Sequence, residues 1–430
     1  MSIYGRFLNE KVMKSIYNIL TPTRLILILL GIVILVHGSY LIYVGKASCP
    51  DGDTFVEWAD KLIMYKFNYL QYSNSLGTFQ RNMYTGFISV VALNRIMFGP
   101  AWEYGVLGFN LFCDVLTAFL LLTVVWKSTQ KILPLVLVGI LYALSFEICL
   151  WLSYVLTDMS FVFLSFFVLS LSFMSSSAKE KKHALLLWIA TFFAVLLSMA
   201  FRPGVIQLFA FFVFAFIIYF KINATDSEVR VVFARNFGLL FVTFAILGIF
   251  SFAYIIQDPS RLFFDSLIDY AASWRKYYIR GEELKGVVVF NRPYTYHNTP
   301  VSLLDYVLII LDKFLHFFAI STKIYSLKHK IFNCLLFIPT YGLALISLCE
   351  LFRKKSKLSP EEWNLAFLSA MFVLIFALFH SITVLDYDWR YRLPCIPPLI
   401  VLAGIGSMQL KRYWNNFQKL QADTKCKNPL

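Results

Sequence analysis

The sequence predicts an all-α polytopic membrane protein with about ten transmembrane helices and further interfacial helices in its outer loops. Three observations carry this prediction. Of the 430 residues, 59% are apolar and 15% are charged, and the mean hydropathy is +0.68. Apolar runs near the ~20 residues that span a bilayer recur along the whole chain. Lysine and arginine concentrate in the short loops between these runs, which is the positive-inside pattern.

The predicted spans follow the apolar runs in chain order. They are 24–45, 104–126, 132–150, 155–175, 184–201, 204–221, 235–257, 331–352, 363–385 and 391–411. Two further runs are more typical of helices that lie at the membrane interface. The run 83–98 is short and carries Arg95, and the run 302–322 places acidic, basic and histidine side chains at helical spacing.

The basic loops predict the orientation of the chain. If the amino-terminal segment is cytoplasmic and the two interfacial runs do not cross, every short basic loop falls on the cytoplasmic side. A crossing at 302–322 alone would move the basic loop 353–357 to the outside. We therefore predict one integral membrane domain over 1–430 with a helical core at 24–411. Its outer loops are 46–103 and 258–330, and 412–430 is a cytoplasmic tail.

Composition also excludes several classes of protein. A net charge of +14 would suggest a nucleic-acid partner for a soluble protein, but here the loops between spans account for the basic residues. The seven cysteines form no C-x-x-C pair, so the sequence indicates neither a zinc site nor a disulfide framework. The chain has no P-loop and no dinucleotide-binding fingerprint.

The densest acidic stretch, "SCPDGDTFVEWADKL", follows the first predicted span. Asp51 and Asp53 form a D-x-D pattern, whose carboxylates would lie near one another on an extended or turning loop and would suit Mg²⁺ or Mn²⁺. Asp-Gly is equally a signal for a solvated turn. The position at the outer mouth of a span favours a site, with a metal as an option rather than a requirement.

Two further charged residues interrupt apolar sequence on the same predicted side. Asp158, in "SYVLTDMSFVFL", precedes a long apolar run, so it either faces a cavity or a charged partner, or begins the helix as a cap. Arg202, in "SMAFRPGVIQLF", lies where Pro203 and Gly204 break the helix. Its guanidinium would suit a phosphate or a carboxylate, and a simple interfacial anchor is the alternative.

A late segment, "DYDWRYRLPCIPP", combines acids, arginines and an aromatic ring before the last span. On a strand-like stretch Arg390 and Arg392 would point the same way and clamp a phosphate, whereas on a helical turn they would diverge. A belt of interfacial aromatic and basic residues is the other interpretation. The density of charge around Tyr391 favours a site.

The order of these features resembles the GT-C superfamily of membrane glycosyltransferases, which includes protein O-mannosyltransferases and lipid A aminoarabinose transferases. The resemblance rests on Asp51, Phe55 and Ala59 at intervals of four, then on "LNRIMFGPAWEYG", "LTDMSFVFL", "AFRPG" and the "RYRLP" segment that ends at Pro397. It covers most of 24–411. This chain departs from the family in having Gly52 where a second acid usually follows the first, and Phe55 where tyrosine is usual.

The resemblance implies transfer of a sugar from a polyprenyl-phosphate donor to a glycan, lipid or protein acceptor. It implies an inverting reaction at the outer face of a bacterial inner (plasma) membrane, with Asp51 as the general base. Asp158 would orient the acceptor or support the base, and Asp53 and Tyr391 would assist. The residues implied to bind the donor phosphate are Arg390, Arg392 and Arg202.

Two other functions stay open at this point. A transporter or flippase of lipid-linked saccharides would use a similar charged cavity without chemistry, and a polysaccharide polymerase would also have a large outer loop with arginines. Charged groups that reach both sides of the bilayer would favour the transporter. The candidates here gather on one predicted side, which favours the enzyme.

Overall fold

The computed structural model describes residues 21–76, 84–202, 205–222, 303–321, 325–353, 356–382 and 389–427. Their regular elements are α-helices and two 3₁₀ helices, Gly99–Ala101 and Trp389–Cys395. The α-helices are α1 (Pro22–Val44), α2 (Pro50–Met64), α3 (Tyr69–Leu76), α4 (Thr85–Phe98), α5 (Trp102–Thr129), α6 (Ile132–Ala143), α7 (Phe146–Leu152), α8 (Asp158–Ser176), α9 (Lys181–Met199), α10 (Val205–Ile222), α11 (Leu303–Phe317), α12 (Leu327–Leu351), α13 (Pro360–Ile382) and α14 (Ile396–Lys427).

Seven of the described helical segments are long and apolar enough to cross a membrane, and the bent pair α6–α7 would make an eighth. In that count α4, the 3₁₀ turn after it and α5 form one segment. The prediction of an all-α polytopic membrane protein is therefore confirmed. The described residues do not reach the predicted ten spans, because the span 235–257 lies outside them and the apolar part of α10, Ile206–Tyr219, is short.

The predicted span 132–150 is a broken helix. Its two parts, α6 and α7, meet at an angle of 47°. A buried network of three side chains packs against this break. The ring of His37 on α1 contacts the Asp114 carboxylate on α5 at 2.7 Å and the carbonyl oxygen of Ala143, at the end of α6, at 3.2 Å. Tyr142 donates its hydroxyl to the same carboxylate at 2.7 Å. The network joins three helices and satisfies a backbone acceptor that the break exposes.

We call the "site end" of the bundle the end where α1, α9 and α13 finish and α5, α8, α12 and α14 begin. The helix α4 has both of its ends there. Its Gly86 N–H donates to the carbonyl of Ala200, which follows α9, and Arg95 in its last turn lies over the Trp102 ring at the start of α5. Whether 83–98 lies at the interface stays a prediction.

The opposite end holds the loops with most of the lysines and arginines described, such as Lys127, Lys181 and Lys182. The positive-inside rule predicts that this end is cytoplasmic. In the centre of the bundle, α12 and α14 approach so closely that a Cβ at Gly406 would overlap the carbonyl oxygen of Leu343. Of the outer loop predicted at 258–330, the described residues include only the last part, from α11 to the first turn of α12.

Candidate functional site

Asp51 and Arg390, 339 residues apart in the chain, form an ion pair at the site end. The Arg390 Nη1 donates to the Asp51 Oδ2 at 3.0 Å. The carboxylate is 57% exposed and the guanidinium 21% exposed, so solvent reaches the pair. The sequence motifs suggested Asp51 as a base and Arg390 as a phosphate ligand, and the structure brings the two residues together.

Asp158 and Arg202 form a second ion pair, which is much more buried. Asp158 is the first residue of α8, and Arg202 follows the end of α9. The Asp158 carboxylate is 4% exposed and accepts a short hydrogen bond from Nη1 of Arg202, whose side chain is 14% exposed. An acid in the first turn of a helix also faces the positive end of the helix dipole. Asp158 thus begins a helix and also pairs with another charge, so the two interpretations from the sequence are compatible.

Tyr391 lies between the two pairs. The guanidinium carbons of Arg390 and Arg202 are 5.3 Å and 5.5 Å from the centre of its ring. The His380 ring, on the last turn of α13, stacks on Tyr391 at 4.7 Å. One aromatic ring thus holds two arginines at the same end of the bundle, in cation–π geometry. Each of these arginines also contacts a carboxylate, Arg390 that of Asp51 and Arg202 that of Asp158.

Local chemistry explains why Asp51 faces this place. The segment after α1 is extended, and Pro50 stands at the start of α2, where a missing N–H costs nothing. Asp51 follows in the first helical turn, and the Cys49 sulfur accepts the Gly52 N–H. Gly52 faces Val155, since a Cβ at 52 would lie 3.3 Å from its carbonyl oxygen. A larger residue, such as the acid usual in the family, would press on that backbone.

Asp51 and Asp53 do not form the metal-binding arrangement that the D-x-D pattern suggested. The stretch is the first turn of a helix rather than an extended loop. Side chains two positions apart on a helix point in different directions. Within the described parts of the chain, no group of three or more histidine, cysteine, aspartate or glutamate side chains is placed to hold a metal ion. A divalent cation at Asp51 and Asp53 therefore stays a prediction.

Arg392 faces away from Arg390. The segment 389–395 is a 3₁₀ helix, so the two arginines diverge, as the sequence reasoning foresaw for a helical turn. Arg392 is 1% exposed. Its Nε donates to Glu147 at 2.8 Å, its Nη2 donates to the same carboxylate, and its Nη1 donates to the carbonyl of Ala319. With all three nitrogens engaged inside the protein, Arg392 is not presented to a ligand.

Two residues near the site were not ranked among the candidates from the sequence. Glu147, inside the predicted span 132–150, is fully buried against Arg392, and an acid in an apolar run could have been matched with a buried cation. Tyr84 directly precedes α4, and no motif marks it in the sequence. Burial raises the pKa of its hydroxyl, although the Arg202 cation acts in the opposite direction. Tyr84 therefore stays neutral near the two pairs and can donate a hydrogen bond.

The arrangement can bind an anion and accept a proton. Arg390 is a partly exposed cation that pairs with an exposed carboxylate, so an incoming anion can replace Asp51 at modest cost. Asp51 would then be a carboxylate without that contact. No family model, curated protein or solved structure matches the chain. The family resemblance therefore rests on the sequence motifs alone.

Proposed function

We propose that this protein is a membrane glycosyltransferase. It moves a sugar from a polyprenyl-phosphate donor to a hydroxyl group of a cell-envelope acceptor, at the outer face of a bacterial inner membrane. The observation that carries the proposal is the pairing of Asp51 with Arg390 beside the buried Asp158–Arg202 pair, with Tyr391 between them. This gives a base, a phosphate ligand and a fixed support at the end of the bundle opposite the basic loops.

Arg390 binds the donor phosphate in this mechanism. A phosphate oxygen replaces the Asp51 carboxylate on the guanidinium, which is suited to phosphate by charge and by its fork of donors. An exposed ion pair contributes only about 0–1 kcal/mol, so the exchange costs little. As the bond between the sugar and the phosphate breaks, negative charge grows on the phosphate. Arg390 stabilises that charge.

Asp51 is the general base. Once released from Arg390, its carboxylate accepts the proton of the acceptor hydroxyl while the hydroxyl oxygen forms a bond to the anomeric carbon. The bond from that carbon to the phosphate oxygen breaks, and the polyprenyl phosphate leaves with the electron pair. A single displacement of this kind inverts the anomeric centre.

Asp158 and Arg202 keep the site in place. Their pair is nearly inaccessible, and replacing a buried partner costs far more than replacing an exposed one. Arg202 supports Tyr391 on one side, while Arg390 lies against the same ring. We assign Asp158 to orienting the acceptor through this support, and we leave Arg392 out of the donor site because of its burial.

Substitutions along α2 test the proposal. Asp51→Asn removes the base and keeps the shape, so it abolishes transfer while expression and donor binding persist. Glu57→Gln is the matched control, because Glu57 is an exposed acid of the same helix that pairs with Lys61 at 2.8 Å. Asp53→Asn tests the metal alternative, since a joint metal site would need both acids. The readout is mass spectrometry of envelope glycans in a deletion strain complemented with each variant. Normal glycans in the Asp51→Asn strain would refute the role of Asp51.

One observation favours the transporter as a second candidate. His37 and Asp114 lie at the interior of the bundle in predicted spans, and ionisable residues at membrane depth often mark transport pathways. Deletion separates the two functions. Loss of one sugar from mature glycans supports the transferase. Unchanged glycan composition, with lipid-linked intermediates that accumulate inside the cell, supports the transporter.

A further inference from the structure

The Glu147–Arg392 pair connects four segments beneath the candidate site. Glu147 lies on α7, just after the break from α6, and Arg392 lies in the 3₁₀ helix 389–395. Asn333 on α12 donates to the Glu147 Oε1 at 2.9 Å and to the carbonyl of Ile320 at 3.2 Å. Arg392 also binds the carbonyl of Ala319, and its guanidinium lies 4.4 Å from the Phe337 ring centre. The carboxylate of Glu147 is thus the common centre of α7, α12, the 3₁₀ helix and the segment after α11.

This pair also fixes the rotation of the 3₁₀ helix. A 3₁₀ helix has three residues per turn, so residues two positions apart point in directions about 120° from each other. With Arg392 held inward by Glu147, Arg390 and Tyr391 are turned toward Asp51 and Arg202. A rotation of the segment by one residue would take Arg390 away from Asp51 and Tyr391 away from Arg202.

We propose that Glu147 is a positioning residue for the candidate site. It does not touch the reacting groups; it holds Arg392 so that Arg390 faces Asp51 and the donor phosphate. The part of this proposal that concerns the phosphate rests on the proposed function. The part that concerns the placement of residue 390 rests on the contacts alone, and the two parts are tested separately.

The placement is measured by cross-linking. Cysteines at 51 and 390, in a Cys49→Ser background, are treated with a short bifunctional thiosulfonate, and the linked peptides are quantified by mass spectrometry. Into this parent we introduce Glu147→Leu together with Arg392→Met. The double change removes both buried charges, and replacing a buried ion pair with apolar residues of similar size is often tolerated. The matched control, Glu362→Gln with Arg412→Met, removes an acid–arginine pair at the opposite end of the bundle.

We expect the cross-linking rate to fall by about tenfold or more in the Glu147 variant, because a short linker that cannot span two sites reacts hardly at all. The opposite-end control keeps the rate of the parent. A monodisperse, folded Glu147 variant that cross-links as fast as the parent overturns the proposal. Glu147→Asp serves if the double variant does not fold. It keeps the charge and withdraws the carboxylate by one methylene, and an unchanged rate there overturns the proposal as well.

Binding of undecaprenyl phosphate to the protein in lipid nanodiscs tests the other part. With Arg390 present, the Glu147→Leu/Arg392→Met variant is expected to bind about tenfold more weakly than the native chain, as Arg390→Met itself should. If the native chain does not bind this lipid, the proposed function fails, while the cross-linking result still decides the positioning role. If binding is normal in the Glu147 variant, the positioning role fails and the proposed function stands.

Discussion

The contrast in burial between the two ion pairs predicts a contrast in stability. In Asp158→Asn, Arg202 loses a charged partner at a place where its side chain is only 14% exposed. Removing one member of a buried pair costs about 3–5 kcal/mol, and the remaining exposure of Arg202 places this case near ~3 kcal/mol. Asp51→Asn breaks a pair whose carboxylate is 57% exposed, and the cost of such a change is about 0–1 kcal/mol.

These free energies translate into melting temperatures. With an unfolding entropy of about 2.1 cal/mol/K per residue, a loss of ~3 kcal/mol lowers the Tm of a chain of this size by ~3 °C. The change at Asp51 lowers it by ~1 °C or less. Thermal unfolding of the purified protein in detergent, followed by tryptophan fluorescence, measures both. The double variant Asp158→Leu/Arg202→Met removes both charges and should recover most of the lost stability. Equal Tm losses at Asp158 and Asp51, or no recovery in the double variant, would refute the reasoning.

Three further outcomes are expected. Asp114→Asn keeps an acceptor for Tyr142 and an amide donor for a neutral His37, so it should lower the Tm less than Asp114→Leu does. Asp114→Leu removes the buried hydrogen-bond partner of both side chains, at a cost of about 1–3 kcal/mol, and equal Tm losses in the two variants would contradict this expectation. Gly406→Ala should prevent close packing of α12 on α14 and lower the yield of monodisperse protein, whereas Gly342→Ala, where a Cβ meets nothing within 4 Å, should not. Burial raises the pKa of the Cys49 thiol. Maleimide labelling at Cys49 should therefore be slower than at the exposed Cys349 at neutral pH and should still rise with pH above 9, and a plateau below pH 8 would contradict it.

Hydropathy predicts the helices because of how the backbone must fold inside a membrane. The hydrocarbon core holds no water, so the backbone N–H and C=O groups of each crossing segment must hydrogen-bond within that segment, and long apolar runs therefore form helices. The break between α6 and α7 could not be found in this way. It depends on where His37 and Asp114 lie relative to the Ala143 carbonyl. These three residues are on different helices, and His37 is 77 residues from Asp114 and 106 residues from Ala143 in the sequence. Mean hydropathy of the run carries no information about such contacts.

The candidate site was predicted in its members but not in its pairings. Asp51, Asp158, Arg202 and Arg390 stand out because each places a charge beside an apolar run. Which acid meets which arginine is decided by helix packing over separations as large as 339 residues. The angle between Arg390 and Arg392 depended on the local backbone. A strand would have aligned Arg392 with its neighbour two positions before, and the observed 3₁₀ helix separates them.

The spacing that carries the family resemblance has a structural explanation in α2. Phe55 and Ala59 are buried on one face of this helix, and Leu62 continues that face. Intervals of three and four residues are what any helix with one buried side shows. The aromatic ring and the alanine therefore report packing, and Asp51 is the only member of the motif that faces the other charges. Whether the chain shares the chemistry of the family depends on that carboxylate and on the exposed pair it forms with Arg390.

The two ion pairs differ in exposure, and they are therefore expected to differ in how readily a ligand can replace one partner. Among the described residues, Asp51 pairs with Arg390 and Asp158 pairs with Arg202, so a phosphate that binds either arginine competes with a carboxylate. The buried pair resists this exchange, since breaking it leaves a charge without compensation. The exposed pair permits it, and the residue released is Asp51, which we propose as the base. Under that proposal, donor binding and activation of Asp51 are a single event, which predicts that the base is held on Arg390 until a donor has bound.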